Sequence, residues 1–320
     1  MLRSLAADLS GSNPTITPPR YAADLAGFVH DCIVIDDAQG DGAGTMPFHL
    51  WPAQRDLLDD LAAERLLLIL KARQLGITWL VCAYALWLCL HKDQRLVLTF
   101  SIGQSEANEM MRRISAMYHR LPADVRAALP PLLKDNTETM AWANGSRIES
   151  LPSRKSAGSG YTASLIILDE FAKNENAAAL YTAVKPTIDG GGSMIILSTA
   201  NGAGNLFHGM VDKARQGVNR FAFRFLPWHA RPGRDAAWYA AVEADAVDSS
   251  LMRQEYPATA DEAFDASEVD AFLPSIALWD ACEVALPPLD AHTPCVLALD
   301  GAESNDTFAS VIVSADADRL

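Results

Sequence analysis

The chain has 320 residues, half of them hydrophobic, and a formal net charge of -14. That length allows one large domain, or one domain with part of another, around a sizeable core. So acidic a balance excludes a surface that is basic over most of its area, and any contact with nucleic acid must fall on a local patch or on partners. Five scattered cysteines, Cys32, Cys82, Cys89, Cys282 and Cys295, form no CxxC pair and suit free thiols in a reducing cytoplasm better than a disulfide framework.

In chain order, Met1 to Ser10 lacks a long apolar run, so no signal peptide is expected. Ser10 to Arg20 reads as a flexible lead-in, Leu25 to Cys32 as a short helix and Asp36 to Thr45 as an acidic, Gly-rich loop. From there strands and helices alternate. Arg65 to Leu70 is an apolar run of the kind buried on both sheet faces, Thr78 to His91 is a helix, Arg95 to Phe100 a strand, and Ser105 to Tyr118 a helix with Met110, Met111, Ile114 and Met117 at helical spacing. The most apolar stretch, Trp79 to Leu90, is too short for a bilayer, which takes about 20 residues. It is expected to be a buried helix, with no membrane partner.

Asn144-Gly145 between two short runs predicts a hairpin in which both turn residues take positive φ. Leu165 to Leu168 and Met194 to Leu197 are further buried strands, the second following Gly190-Gly191-Gly192. Leu206 to Arg215, Asp235 to Ala246 and Ser249 to Tyr256 are expected helices and Phe221 to Phe225 a strand, while Asp261 to Pro288 reads as an irregular linker before strands at Cys295 to Asp300 and Phe308 to Val313. The expected class is α/β, with a mostly parallel sheet flanked by helices. The expected divisions are a lead-in (1–45), a main domain (46–260), a linker (261–290) and the opening of another domain (291–320).

Two segments carry chemistry. Lys71-Ala72-Arg73-Gln74-Leu75-Gly76-Ile77-Thr78 follows a strand and opens a helix, the context in which backbone N–H groups cradle phosphates. Gly76 permits close approach and Thr78 stands where a hydroxyl would meet Mg²⁺. Ile77 occupies the usual lysine position, while Lys71, where the first glycine usually stands, supplies a cation on a flexible stem and Arg73 adds a second. Taken alone, such a loop also fits an ordinary strand-to-helix turn. The strand Ser164 to Leu168 then ends in Asp169-Glu170, which sets Asp169 at the carboxyl edge of a parallel sheet as a Mg²⁺ ligand and Glu170 as the acid that polarises an attacking water. The two motifs together point to ATP hydrolysis.

With Phe48 to Arg55 (FHLWPAQR), Met194 to Gly202 (MIILSTANG) and Ala298 to Ala302 (ALDGA), the chain resembles the large subunit of tailed-phage terminases, motors that package double-stranded DNA into procapsids. That resemblance implies a P-loop ATPase domain of the ASCE type. It implies that Gln54 contacts adenine, that Lys71 is the displaced lysine of a variant loop, and that Arg73 acts in cis on the transferring phosphate. It further implies that Asp169 and Glu170 are the metal-binding and catalytic acids, and that Ser198, Thr199, Ala200 and Asn201 form the segment coupling hydrolysis to DNA movement. The implied partners are duplex DNA, a portal protein, a terminase small subunit and further copies in a ring, all in the bacterial host cytoplasm. The resemblance also makes Cys295 to Asp300 the first strand of an RNase H-like nuclease, with Asp300 as a metal-binding acid and Asp306 a weaker candidate. The other acids would lie beyond Leu320, so no nuclease activity is expected from this polypeptide alone, whether it is a fragment or the product of a truncated prophage gene. A helicase-like ATPase and an inactive prophage remnant that only binds partners stay open as alternatives.

Overall fold

The computed structural model describes residues 20–37, 44–152, 160–247, 249–265, 295–300 and 309–314. They belong to two compact units, Met1–Val269 and Asp270–Leu320. The first unit begins with α1 (Leu25–Cys32), the hairpin of β1 (Val34–Asp37) and β2 (Gly44–Pro47), and α2 (Pro52–Ala63). It continues with β3 (Leu66–Lys71), α3 (Ile77–His91), β4 (Leu96–Ser101), α4 (Gln104–His119) and α5 (Ala123–Ala127). Next come β5 (Leu132–Asp135), β6 (Thr139–Trp142), β7 (Arg147–Pro152), β8 (Leu165–Asp169) and α6 (Ala177–Val184). The unit closes with β9 (Ser193–Ser198), α7 (Leu206–Arg215), β10 (Ala222–Leu226), α8 (Ala236–Ala244), α9 (Ser249–Glu255) and α10 (Glu262–Asp265).

Eight strands form one sheet in the order β10-β3-β9-β8-β4-β7-β6-β5. The first six run parallel, and β6 and β5 add an antiparallel edge. Strand side chains alternate between faces, and the apolar runs divide accordingly. Leu67, Ile69, Val97, Leu165, Ile167, Ile195 and Leu197 join the core beneath α1, α2, α3 and α4. Leu66, Leu68, Leu70, Leu98, Ile166, Leu168 and Ile196 join the core with Leu180, Phe207 and Phe264. Helix α3 is apolar on every side because it is enclosed: Leu80, Val81, Cys82, Ala85, Leu86 and Cys89 are all fully buried. Cap residues set several helix starts, among them Asp24 accepting from Gly27 N at 2.7 Å, Asn205 from His208 N at 3.0 Å and Asp235 from Trp238 N at 2.8 Å.

The structure departs from the sequence-based expectation at several places, and it adds α5, β5 and α6, for which the sequence pattern gives no element. The ends of the expected loop Asp36 to Thr45 are strand, because β1 pairs β2 with Asp36 opposite Thr45, and Asp36 is held by Arg112 and Arg120 at 2.8 and 2.7 Å. At Asn144-Gly145 the hairpin forms, but only Gly145 has positive φ, at 78°. The Asn144 amide instead donates to the carbonyls of Cys89 and Lys92 and accepts from Ser146 N. Helix α2 is an element the sequence pattern does not announce; Pro52 opens it, and Trp51 N donates to Gln54 Oε1 at 3.0 Å. Lastly, the opening of the expected linker is the helix α10, which buries Ala263 and Phe264 in the core.

In the second unit, β11 (Cys295–Asp300) and β12 (Ala309–Ser314) pair antiparallel from Cys295 opposite Ser314 to Asp300 opposite Ala309. Asp306, Cys282, residues 1–19 and the rest of the expected linker lie outside the described residues. No helix among the described residues is long and apolar enough to cross a membrane.

Candidate functional site

The loop leaving β3 turns tightly. Gln74 and Gly76 have φ of 59° and 71°, and α3 starts immediately after, at Ile77. Gly76 is required here, since besides its left-handed backbone an added Cβ would meet Gln54 Nε2 at 2.8 Å. The entry to the loop is pinned by Ala72 N donating to Leu226 O and Arg73 N to Glu255 O, each at 2.9 Å. Gln54, on α2 and 2 % exposed, donates from Nε2 to Leu75 O at 2.8 Å. Ile77 is buried in the core, so the position where a lysine is usual offers no cation here.

The cation comes from Lys71. It is the last residue of β3 and 6 % exposed, and its Nζ donates to Glu170 Oε1 at 2.7 Å. Thr78, at the start of α3, donates to Asp169 Oδ2 at 3.2 Å. Strand β9 lies between β3 and β8, so the Lys71–Glu170 contact spans strands that are not neighbours, while Thr78 reaches Asp169 from the first turn of α3. Burial pushes the Asp169 carboxyl above the usual range, and Glu170 beside it acts in the same direction, against the Lys71 charge. Burial opposes ionisation of Glu170 too, but the charge and hydrogen bond of Lys71, with Lys173 behind them, hold its carboxyl below the usual range. One acid is thus kept ionised by its cation, while the other meets a hydroxyl. Glu170 also sits at φ 50°, a left-handed conformation that a non-glycine residue rarely adopts and that accumulates at functional sites.

The segment after β9 is tied to these acids. Thr199 Oγ1 donates to Glu170 Oε2 at 3.5 Å, Ser198 Oγ accepts from Ala172 N at 3.1 Å, and Asn201 Nδ2 donates to Ala172 O at 3.3 Å. Ala200 is fully buried between them. Arg73 turns to Glu255 on α9, with hydrogen bonds of 2.5 and 3.0 Å, and Lys173 donates to the same carboxylate at 3.3 Å. The structure therefore brings Gln54, Lys71, Thr78, Asp169, Glu170 and Thr199 to one edge of the sheet, with Arg73 beside them on Glu255. Asp300 closes β11 in the other unit.

Four participants escape a reading of the sequence: Lys173, Glu255, Arg231 and Arg234. Arg231 donates from Nη1 to Gln74 O at 3.2 Å, and Arg234 donates to Arg73 O at 3.0 Å and to Gln74 Oε1 at 3.2 Å. The two arginines lie about 160 positions from the loop they touch, beyond the reach of any local motif.

The family model described as "Terminase large subunit, T4likevirus-type, N-terminal" matches residues 68–267. Among solved structures, the Thermus phage P74-26 large terminase ATPase domain is similar at 20 % identity and TM-score 0.51, covering 65 % of this chain and 98 % of that one. The HK97 bacteriophage large terminase is similar at 17 % identity and TM-score 0.55, covering 92 % of this chain and 64 % of that one. The large terminase of a thermophilic bacteriophage, in complex with ADP, shows TM-score 0.50 at 10 % identity, over 64 % of this chain and 52 % of that one. These likenesses establish the shared α/β fold. Curated proteins yield no match. The family model spans more than half of the chain and takes in the end of β3 with Lys71, the acids and the segment after β9, and the chain therefore belongs to the terminase large-subunit family.

Proposed function

We propose that the chain binds and hydrolyses ATP between the Lys71–Thr78 loop and the Asp169–Glu170 pair, as the motor that drives double-stranded DNA into a procapsid. The observation that carries this reading is the convergence of Lys71 on Glu170 across one intervening strand and of Thr78, from the start of α3, on the neighbouring Asp169. The thermophilic-phage large terminase holds ADP on the same fold, which supports a nucleotide as the ligand. The hydroxyl of Thr78 and carboxylate of Asp169 are hard oxygen donors 3.2 Å apart, a set that suits Mg²⁺ completed by phosphate oxygens and water. When bound, Mg²⁺ would offset negative charge on the phosphates.

In this reading Glu170 accepts a proton from the attacking water as its oxygen bonds to the γ-phosphorus and the bond to the β–γ bridging oxygen breaks. Lys71 and Arg73 offset the charge that gathers on the transferring group, Arg73 after leaving Glu255. Family resemblance would put adenine against Gln54, whose Nε2 and Oε1 are here already engaged by Leu75 O and Trp51 N. Thr199, bonded to Glu170, transmits loss of the γ-phosphate through Ser198 to Asn201 towards the DNA. Partners are duplex DNA, a portal protein, a small DNA-recognition subunit and further copies in a ring, in the host cytoplasm. The paired strands β11 and β12 open an RNase H-like nuclease domain, in which Asp300 is a metal ligand.

The test is ATP hydrolysis by wild type and Glu170→Gln, with ring assembly controlled. A fall of about 10²–10⁴-fold with nucleotide binding retained is expected; equal rates would remove Glu170 from this role. A helicase-like ATPase would need further motifs, and no second sheet of that kind occurs among the described residues.

A further inference from the structure

Three successive carbonyls of the loop are each held from outside it. Arg73 O accepts from Arg234 Nη1 at 3.0 Å, Gln74 O from Arg231 Nη1 at 3.2 Å and Leu75 O from Gln54 Nε2 at 2.8 Å. In a trans peptide the C=O and the next N–H point in opposite directions. Anchoring these carbonyls therefore turns the N–H groups of Gln74, Leu75 and Gly76 away from their holders. Among the described residues the N–H groups of Gln74 and Gly76 donate to no backbone carbonyl, and that of Leu75 only closes a weak turn on Ala72 O, as in a concavity built for an anion.

Arg234 is built for this task. It is 8 % exposed and pairs with no carboxylate among the described residues. Its guanidinium lies 4.4 Å from the Trp238 ring centre and 5.3 Å from that of Tyr256, a cation–π seat that compensates part of its lost hydration. From there its two terminal nitrogens reach Arg73 O and the side chain of Gln74. That second bond braces Gln74 in its left-handed conformation, φ 59°, which is unfavourable for a residue with a Cβ. A planar fork can hold both acceptors in one orientation where a point charge cannot.

We propose that Arg234, assisted by Arg231, is a positioning residue for phosphate binding: it fixes the peptide planes of Arg73 and Gln74 so that the loop's N–H groups are aligned before a polyphosphate arrives. This rests on the nucleotide reading above. The inference concerns binding that is equal in the ground and transition states, and loss of such binding raises KM with kcat unchanged.

The experiment compares Arg234→Gln and Arg234→Lys with wild type in the full chain. It measures the KM and kcat of ATP hydrolysis, displacement of a fluorescent ADP analogue by pyrophosphate, and the melting temperature without ligand. Arg234→Gln is expected to raise KM about tenfold or more and weaken pyrophosphate to a similar extent, with kcat within about threefold. Arg234→Lys, which keeps the charge between the rings but loses the fork, should fall between it and wild type. Should Arg234→Gln not fold, Arg234→Lys alone decides the matter by its KM. An unchanged KM in the folded variants, even with a lower melting temperature, overturns the proposal. If wild type itself binds neither nucleotide nor pyrophosphate, the nucleotide reading falls and this inference with it.

Discussion

Lys71 Nζ donates to Glu170 Oε1 at 2.7 Å, so the cation at the front of the loop and the acid at the end of β8 form one ion pair. The pair is mostly buried, with side-chain exposures of 8 % and 27 %. Removing one member of such a pair leaves the other desolvated without compensation.

Lys71→Met is therefore expected to act twice. It should weaken ATP binding by an order of magnitude or more, and it should destabilise the ligand-free protein by about 1–3 kcal/mol, because Asp169 and Glu170 then face each other with Lys173, 3.9 Å from Glu170, as the remaining counter-charge. Calorimetric titration and urea melts report the two effects separately. Normal ATP affinity in Lys71→Met would end the displaced-lysine reading. Ile77→Lys should not restore binding, since Ile77 points into the core.

His91 gives a pH dependence with a defined sign. Burial pulls its imidazole below the usual value, against the Trp87 carbonyl 3.0 Å away and with Lys92 adding repulsion. Above about pH 6.5 neither the folded nor the unfolded chain protonates this histidine. As the pH falls through that value the unfolded chain takes up a proton that the folded one resists, and stability declines. His91→Phe, which keeps an aromatic ring near Phe28 and Trp87, should flatten the fall in melting temperature between about pH 7 and about pH 5.5. An unchanged slope would show that other groups carry the acid sensitivity.

Burial pushes the Cys82 thiol up to about 12, which leaves on the order of 10⁻⁴ of it as thiolate at pH 8. Native protein treated with iodoacetamide should stay unmodified at Cys82, as read by mass spectrometry, and should react there once unfolded in urea. Modification under native conditions would mean that α3 opens readily.

Gly145→Ala tests the β6–β7 turn. Its φ is 78°, and an added Cβ would stand 2.3 Å from Gln94 Nε2. A loss of about 1–2 kcal/mol is expected. Adding Gln94→Ala should return part of it by removing the clash while the backbone strain persists. Chemical denaturation of the single and double variants measures both.

The order of motifs and the alternating strands are legible because each depends on a short stretch of chain. Leu25–Cys32 and Leu206–Arg215 show their apolar spacing within a few turns, and the apolar runs of β3, β8 and β9 announce a sheet covered on both faces. Strand β1 is illegible because long-range ion pairs, from Asp36 to Arg112 and Arg120, hold acidic residues extended. The site divides in the same way. Lys71, Thr78, Asp169 and Glu170 lie at strand ends and at a helix start, where local pattern declares them. Glu255 meets Arg73 across 182 positions of sequence, and nothing in the composition near either residue signals that meeting. The turn at Asn144 departs from expectation because its amide satisfies the end of α3, a demand visible only once the helix is in place.

Placing β9 between β3 and β8 has a metrical consequence. Neighbouring strands stand about 4.8 Å apart, so the ends of β3 and β8 are separated by roughly 10 Å. A side chain leaving the tip of β3 must cross most of that span to touch an acid beyond β8, which a serine or an asparagine could not do. One interposed strand thus acts as a gauge block for the cleft: it admits a residue as long as lysine at position 71, and a second such strand would carry Glu170 out of its reach.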